Sequence, residues 1–102
     1  SELAPDEPHI RYVNGFVLSA CGHYDEALVE LQKSVALEPF YALPYARLGQ
    51  INERLGKAKE ASDAYQHFLA RASANDPQRA FATEHLAEIR EFIASTQAIA
   101  KP

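Results

Sequence analysis

The chain has 102 residues, 47% apolar and 24% charged, which suits one small domain with a core of its own. Its net charge of -4 does not favour nucleic acid or an anionic membrane, which would need a basic face, and no apolar run reaches the roughly 18 residues of a membrane span. The lone Cys21 can form no internal disulfide, so folding needs no oxidising compartment and a cytoplasmic setting is favoured.

Alanine is frequent, and neither β-branched runs nor long period-2 alternation occur, so helix is expected throughout. In chain order, residues 1–7 form a lead-in. A first helix is predicted over 8–21, closed by Gly22. A second follows over 24–38, with Asp25 and Glu26 in its first turn, where carboxylates suit the positive helix end. Pro39 stops it. A third helix is predicted over 42–55, closed by Gly56, and a fourth over 58–72. "SANDP" (73–77) then breaks the pattern, with Asp76 as N-cap and Pro77 at the first helical position. The last helix, 77–99, carries the apolar stripe Ala82, Leu86, Ile89 and Ile93 at i, i+4, i+7 and i+11, flanked by Phe81 and Phe92.

Cys21, His23, Asp25 and Glu26 invite a chemical reading as a nucleophile, a base and carboxylates, or as metal ligands. Their spacing matches neither C-x2-C nor H-x3-H. A helix turn followed by an acidic first turn explains the same residues. His9, His67 and His85 are scattered, and no H-E-x-x-H, P-loop or G-x-G-x-x-G occurs. Glu84 and Glu88, one turn apart, read as a solvated helix face. No catalytic, metal or cofactor site is expected, and the chain reads as a non-enzyme.

Shifting the chain by 34 positions brings Gly15 onto Gly49, Gly22 onto Gly56, Glu26-Ala27 onto Glu60-Ala61, Gln32 onto Gln66 and Ala36 onto Ala70. Leu31 meets Tyr65 and Val35 meets Leu69. With this period the sequence resembles the tetratricopeptide repeat family, a helix–turn–helix of 34 residues with the pattern W-x2-L-G-x2-Y…A-x3-F…P. Asn14-Gly15 and Leu48-Gly49 fill the L-G place. Ala27 with Leu31, and Ala61 with Tyr65, fill the A-x3-F place, and Pro39 closes the first repeat. The tryptophan place holds Arg11 and Tyr45, the tyrosine place holds Leu18 and Asn52, and Ser73 replaces the second closing proline.

The resemblance implies an all-α fold: helix pairs stacked as a right-handed superhelix, an α-solenoid. Repeat 1 covers 8–41 and repeat 2 covers 42–75; 77–99 is a capping helix or the first helix of a third pair. Gly15 and Gly49 would admit a close partner helix, with Ala27 and Ala61 as the small residues facing them. Leu3-Ala4-Pro5 stands 34 positions before Leu37-Glu38-Pro39, so residues 1–7 also read as the end of a preceding repeat. With its Ala-rich, Lys-poor composition, the chain reads as a piece of a longer bacterial repeat protein.

In this family the first helices of the pairs line a concave groove that binds peptide or protein segments. Carried over, the groove face comprises His9, Tyr12, Val13, Phe16 and Ser19 from the first helix, and Leu43, Ala46, Arg47, Gln50, Glu53 and Arg54 from the third. The expected partner-binding residues are His9, Tyr12, Phe16, Arg47, Gln50 and Arg54. Some members clamp a C-terminal carboxylate with Lys and Asn, and Tyr12 and Phe16 stand where those would be needed, so that clamp is not expected. A partner segment should instead pack an apolar side chain on Tyr12 and Phe16, with Arg47 and Arg54 meeting a carboxylate or carbonyl. Two alternatives are a homo-oligomer formed through uncovered ends and the targeting arm of a larger enzyme.

Overall fold

The structure, a computed structural model, describes residues 7–100. It contains five helices: α1 (Pro8–Ala20), α2 (Tyr24–Leu37), α3 (Leu43–Arg54), α4 (Ala58–Arg71) and α5 (Gln78–Ala100). No strand occurs among the described residues. The reading of residues 1–7 as the end of a repeat falls, except for Glu7, outside them.

Two turns with one geometry set the pairing of the helices. Gly22 and Gly56 have φ of 84° and 77°, in the left-handed region that side chains with a Cβ avoid. Around Gly22, the His23 N–H donates to the Leu18 carbonyl at 2.8 Å and the Gly22 N–H to that of Ser19 at 3.1 Å. Around Gly56, Lys57 donates to Asn52 and Gly56 to Glu53 at the same two distances. Both are Schellman caps, which satisfy the last carbonyls of α1 and α3 and reverse the chain at once. Each first helix therefore folds back against its second: α1 on α2, and α3 on α4.

Close approach within each pair depends on the other two glycines. A Cβ at Gly15 would stand 2.6 Å from Cγ of Leu31, and one at Gly49 would stand 2.6 Å from the Tyr65 ring. Leu31, Tyr65, Ala27 and Ala61 are all fully buried. The close approach expected at both glycines is present, but the side chains that lie over them are the large Leu31 and Tyr65, where the sequence pointed to the small Ala27 and Ala61. Ser34 adds a polar tie, its hydroxyl donating to the Pro8 carbonyl at 2.7 Å. Arg11 pairs with Glu30 at 3.0 Å in a half-buried position. Burial alone would raise the Glu30 pKa; hydrogen bonds from Arg11 and Asn14 outweigh it and hold the carboxyl below its ordinary value.

The pairs then stack. α3 packs on α2 and touches α1, and α5 packs along α4. Ala82, Leu86 and Ile89 of α5 are buried and Ile93 is partly so, the stripe read from the sequence. Asp76 caps this helix: its Oδ1 accepts the Gln78 N–H at 2.8 Å, with Pro77 between them. At the C-terminal end of α4, the Arg71 Nε–H donates to the Pro39 carbonyl at 2.6 Å, and the guanidinium lies 4.8 Å from the Tyr45 ring centroid. This ties α4 to the connection between the pairs. The result is an all-helical repeat stack, as expected of an α-solenoid.

Candidate partner-binding groove

The first helices of the two pairs lie side by side, and their outward turns carry the candidate residues. On α1, His9, Tyr12 and Phe16 follow one another on one face. Tyr12 meets Phe16 edge-on, with centroids 6.4 Å apart, and meets Tyr41 in the same way at 5.7 Å. His9 Nδ1 lies 2.8 Å from the Tyr41 hydroxyl. Burial first, and then its proximity to Tyr12, raise the pKa of Tyr41 above the ordinary tyrosine value. Tyr41 belongs to the connection between the repeats and completes an aromatic row with His9, Tyr12 and Phe16.

Phe16 joins this row to α3. The Arg47 guanidinium lies 4.1 Å from the Phe16 ring centroid, a cation–π contact between helices. Its NH1 also donates to Oε1 of Gln50 at 2.5 Å. These two contacts orient the guanidinium and leave further N–H donors of its fork available to an acceptor. Beside it opens a recess of about 290 Å³, lined by Phe16, Ser19, Tyr24, Arg47, Gln50 and Arg54 among others. Four of the six expected residues, Phe16, Arg47, Gln50 and Arg54, thus share one recess. His9 and Tyr12 lie farther toward the N-terminus of α1 along the aromatic row.

A second recess, of about 520 Å³, continues toward α5 between Gln50, Glu53, Arg54, Phe81 and His85. Gln50 and Arg54 line both recesses, so the two adjoin. Phe81 and His85 stack at 3.9 Å, with an interplanar angle of 25°. The Glu53 carboxylate is engaged inward: the Tyr65 hydroxyl donates to it at 2.6 Å, and His85 Nδ1 lies 2.9 Å away. Burial, then the Glu53 hydrogen bond, push the Tyr65 pKa strongly up. With Glu53 so held, the groove combines an apolar ledge with the cations of Arg47 and Arg54.

Tyr41, Phe81 and His85 are the groove residues that reading the sequence overlooked. Phe81 stands 34 positions after Arg47, so extending the repeat into the last helix points to it. Tyr41 lies in a connection, where helical spacing carries no signal. Ala46, expected on the groove face, is 2% exposed and belongs to the core. The helix-entry cluster is dispersed: Cys21 is exposed, and His23 meets Glu26 at 3.4 Å with both side chains largely in solvent. No group of three or more potential metal ligands lies among the described residues.

Over 79 residues, 76% of its length, the chain is 37% identical to the Hsp70-Hsp90 organizing protein of Triticum aestivum. It spans 13% of the length of that relative. No family model matches the chain.

Proposed function

We propose that the chain is a non-catalytic, tetratricopeptide-type interaction module. Its groove, walled by α1, α3 and α5, takes an extended peptide or protein segment. The observation that carries this reading is the recess lined together by the exposed Phe16 ring, the Arg47 guanidinium stacked on it, and the exposed Arg54. An apolar side chain of the partner packs on Tyr12 and Phe16. A partner carboxylate or backbone carbonyl accepts from Arg47 and Arg54, a charge-assisted bond made stronger by the apolar ledge beside it.

Similarity to a protein named as organizing Hsp70 and Hsp90 supports a role in holding other proteins together. The aromatic pair Tyr12 and Phe16 favours a partner anchored by an apolar side chain over one held by its terminal carboxylate alone. The test is selection of peptides from a random display library, followed by fluorescence anisotropy with the selected sequences. Phe16→Ala and Arg47→Ala should each weaken binding by about tenfold or more, a loss of roughly 1.4 kcal/mol, with the helical circular dichroism unchanged. Selected peptides whose affinity is indifferent to both variants would remove the groove from consideration.

A further inference from the structure

A chain of polar groups runs from the core to the second recess. It begins at Tyr65, a fully buried residue of α4, whose hydroxyl donates to Glu53 Oε1 at 2.6 Å. Glu53, on α3, is met in turn by His85 of α5, with Nδ1 2.9 Å from Oε1 and 3.0 Å from Oε2. One carboxylate thus joins three helices. The bonds have a fixed direction. An ionised carboxylate only accepts, so the phenol donates to it and Nδ1 carries a ring proton. A neutral imidazole has a single N–H, and with that proton held on Nδ1 its Nε2 presents a lone pair. Phe81, stacked on the ring at 3.9 Å and an angle of 25°, holds the imidazole plane. His85 lines the recess with 29% of its side chain exposed, and no described residue hydrogen-bonds its Nε2.

What else lines the recess decides which partner group suits this nitrogen. Arg54 offers N–H donors, and so does the Gln50 amide, whose Oε1 already accepts from Arg47. Glu53 is engaged by Tyr65 and His85. Nε2 is therefore the acceptor that the recess presents, and a polar group that meets it must donate. A lysine would stand beside the Arg54 cation that lines the same recess, so a charged donor is disfavoured. A hydroxyl is uncharged, and its apolar stem suits the Phe81 ring, which is 36% exposed. We propose that His85 is a specificity-determining residue of the groove, its Nε2 accepting a hydrogen bond from a Ser, Thr or Tyr hydroxyl of the partner. Glu53 and Tyr65 are positioning residues that hold the ring in the required tautomer. The assignment rests on the groove being a peptide site, and it adds a second fixed point in the recess next to the Phe16 and Arg47 anchor. A segment that covers Nε2 without a donor leaves the lone pair buried and unpaired, which is the source of the discrimination.

Two measurements at pH 8 test this. Nitrogen-15 imidazole spectra of the free chain should show His85 protonated at Nδ1 and bare at Nε2. Glu53→Gln should return the ring to a mixture of tautomers, a signature that loosened packing alone would not give. Peptides selected on the parent chain from a random display library then serve as probes. Each is paired with an analogue in which Ser, Thr or Tyr becomes Ala, Val or Phe. On the parent chain the hydroxyl peptide should bind about fivefold or more tightly than its analogue. His85→Phe, which keeps a ring against Phe81, should weaken the hydroxyl peptide by a similar factor and leave the analogue nearly unaffected, with helical circular dichroism unchanged. A ring bare at Nδ1, or protonated at both nitrogens, overturns the assignment. So do peptides that need Phe16 and Arg47 yet bind the parent and His85→Phe equally. An equal loss for the peptide and its analogue gives Nε2 to a backbone amide and overturns the hydroxyl. Peptides indifferent to Phe16, Arg47 and His85 alike remove the groove itself, and His85 with it, whatever the tautomer.

Discussion

Replacing Gly49 by alanine sets two effects of known size against each other. Gly49 lies inside α3, where alanine is favoured over glycine by about 1 kcal/mol because the unfolded backbone has less freedom to lose. That gain is opposed by sterics. The new Cβ would stand 2.6–2.8 Å from three atoms of the Tyr65 ring, where carbon atoms ordinarily rest about 3.5–4.0 Å apart. The ring cannot swing clear: Tyr65 is fully buried, and its hydroxyl is held by Glu53 at 2.6 Å. Relief must come from moving α4 away from α3, and overpacking of this kind costs about 1–3 kcal/mol. The clash should win by about 1 kcal/mol or somewhat more, lowering the melting temperature by roughly 4–8 °C in a domain of this size. Urea titration followed by circular dichroism at the helical band measures the difference. Tyr65→Leu provides the control, since a smaller side chain opposite Gly49 should shrink or reverse the alanine penalty. A Gly49→Ala chain at least as stable as the parent, with Tyr65 retained, would refute the close-approach account of the helix pair.

The capping glycines separate strain from crowding. A Cβ at Gly22 or Gly56 meets nothing within 4 Å, so alanine there should cost only the left-handed backbone penalty, about 1 kcal/mol each, with asparagine recovering part of it in thermal melts. Tyr65 predicts an alkaline response. Its pKa is raised in the folded state above the reference value of 10.0, so its contribution is intact below pH 10 and declines above it, as the unfolded phenol ionises and the folded one does not. Denaturant midpoints should therefore fall above pH 10, and Tyr65→Phe should flatten that fall. Glu30 predicts the acid counterpart. Its lowered pKa contributes stability above the ordinary value of 4.5 that is lost as the pH falls through and below it, and Arg11→Ala should reduce the loss measured between pH 5 and pH 3.

Much of the architecture was legible without coordinates, because it rests on local physics. Helix ends follow from residues with restricted backbones or capping side chains, such as Gly22, Gly56, Asp76 and Pro77, and helix faces follow from the 3.6-residue period. The 34-residue echo then marked Gly15 and Gly49 as places of close approach, with Ala27 and Ala61 as their small partners; that Leu31 and the Tyr65 ring fill the space over the two glycines is a result of the packing. The groove was legible only as a face. The period located Tyr12, Phe16, Arg47 and Gln50 on outward turns, yet it could not show that the Arg47 guanidinium would settle on Phe16.

Nor could it show that Tyr41 would leave its connection to join His9 and Tyr12, that Glu53 would be engaged by Tyr65 and His85, or that Ala46 would be enclosed. Those outcomes depend on how far apart two helices rest and on which rotamer a long side chain adopts. Both are set by contacts between residues distant in the chain. The amino-acid sequence by itself determined five helices, their caps, their pairing and the sizes of the residues between them. Only the tertiary structure decided which side chains share the recess, because that depends on the neighbours that packing brings to each face.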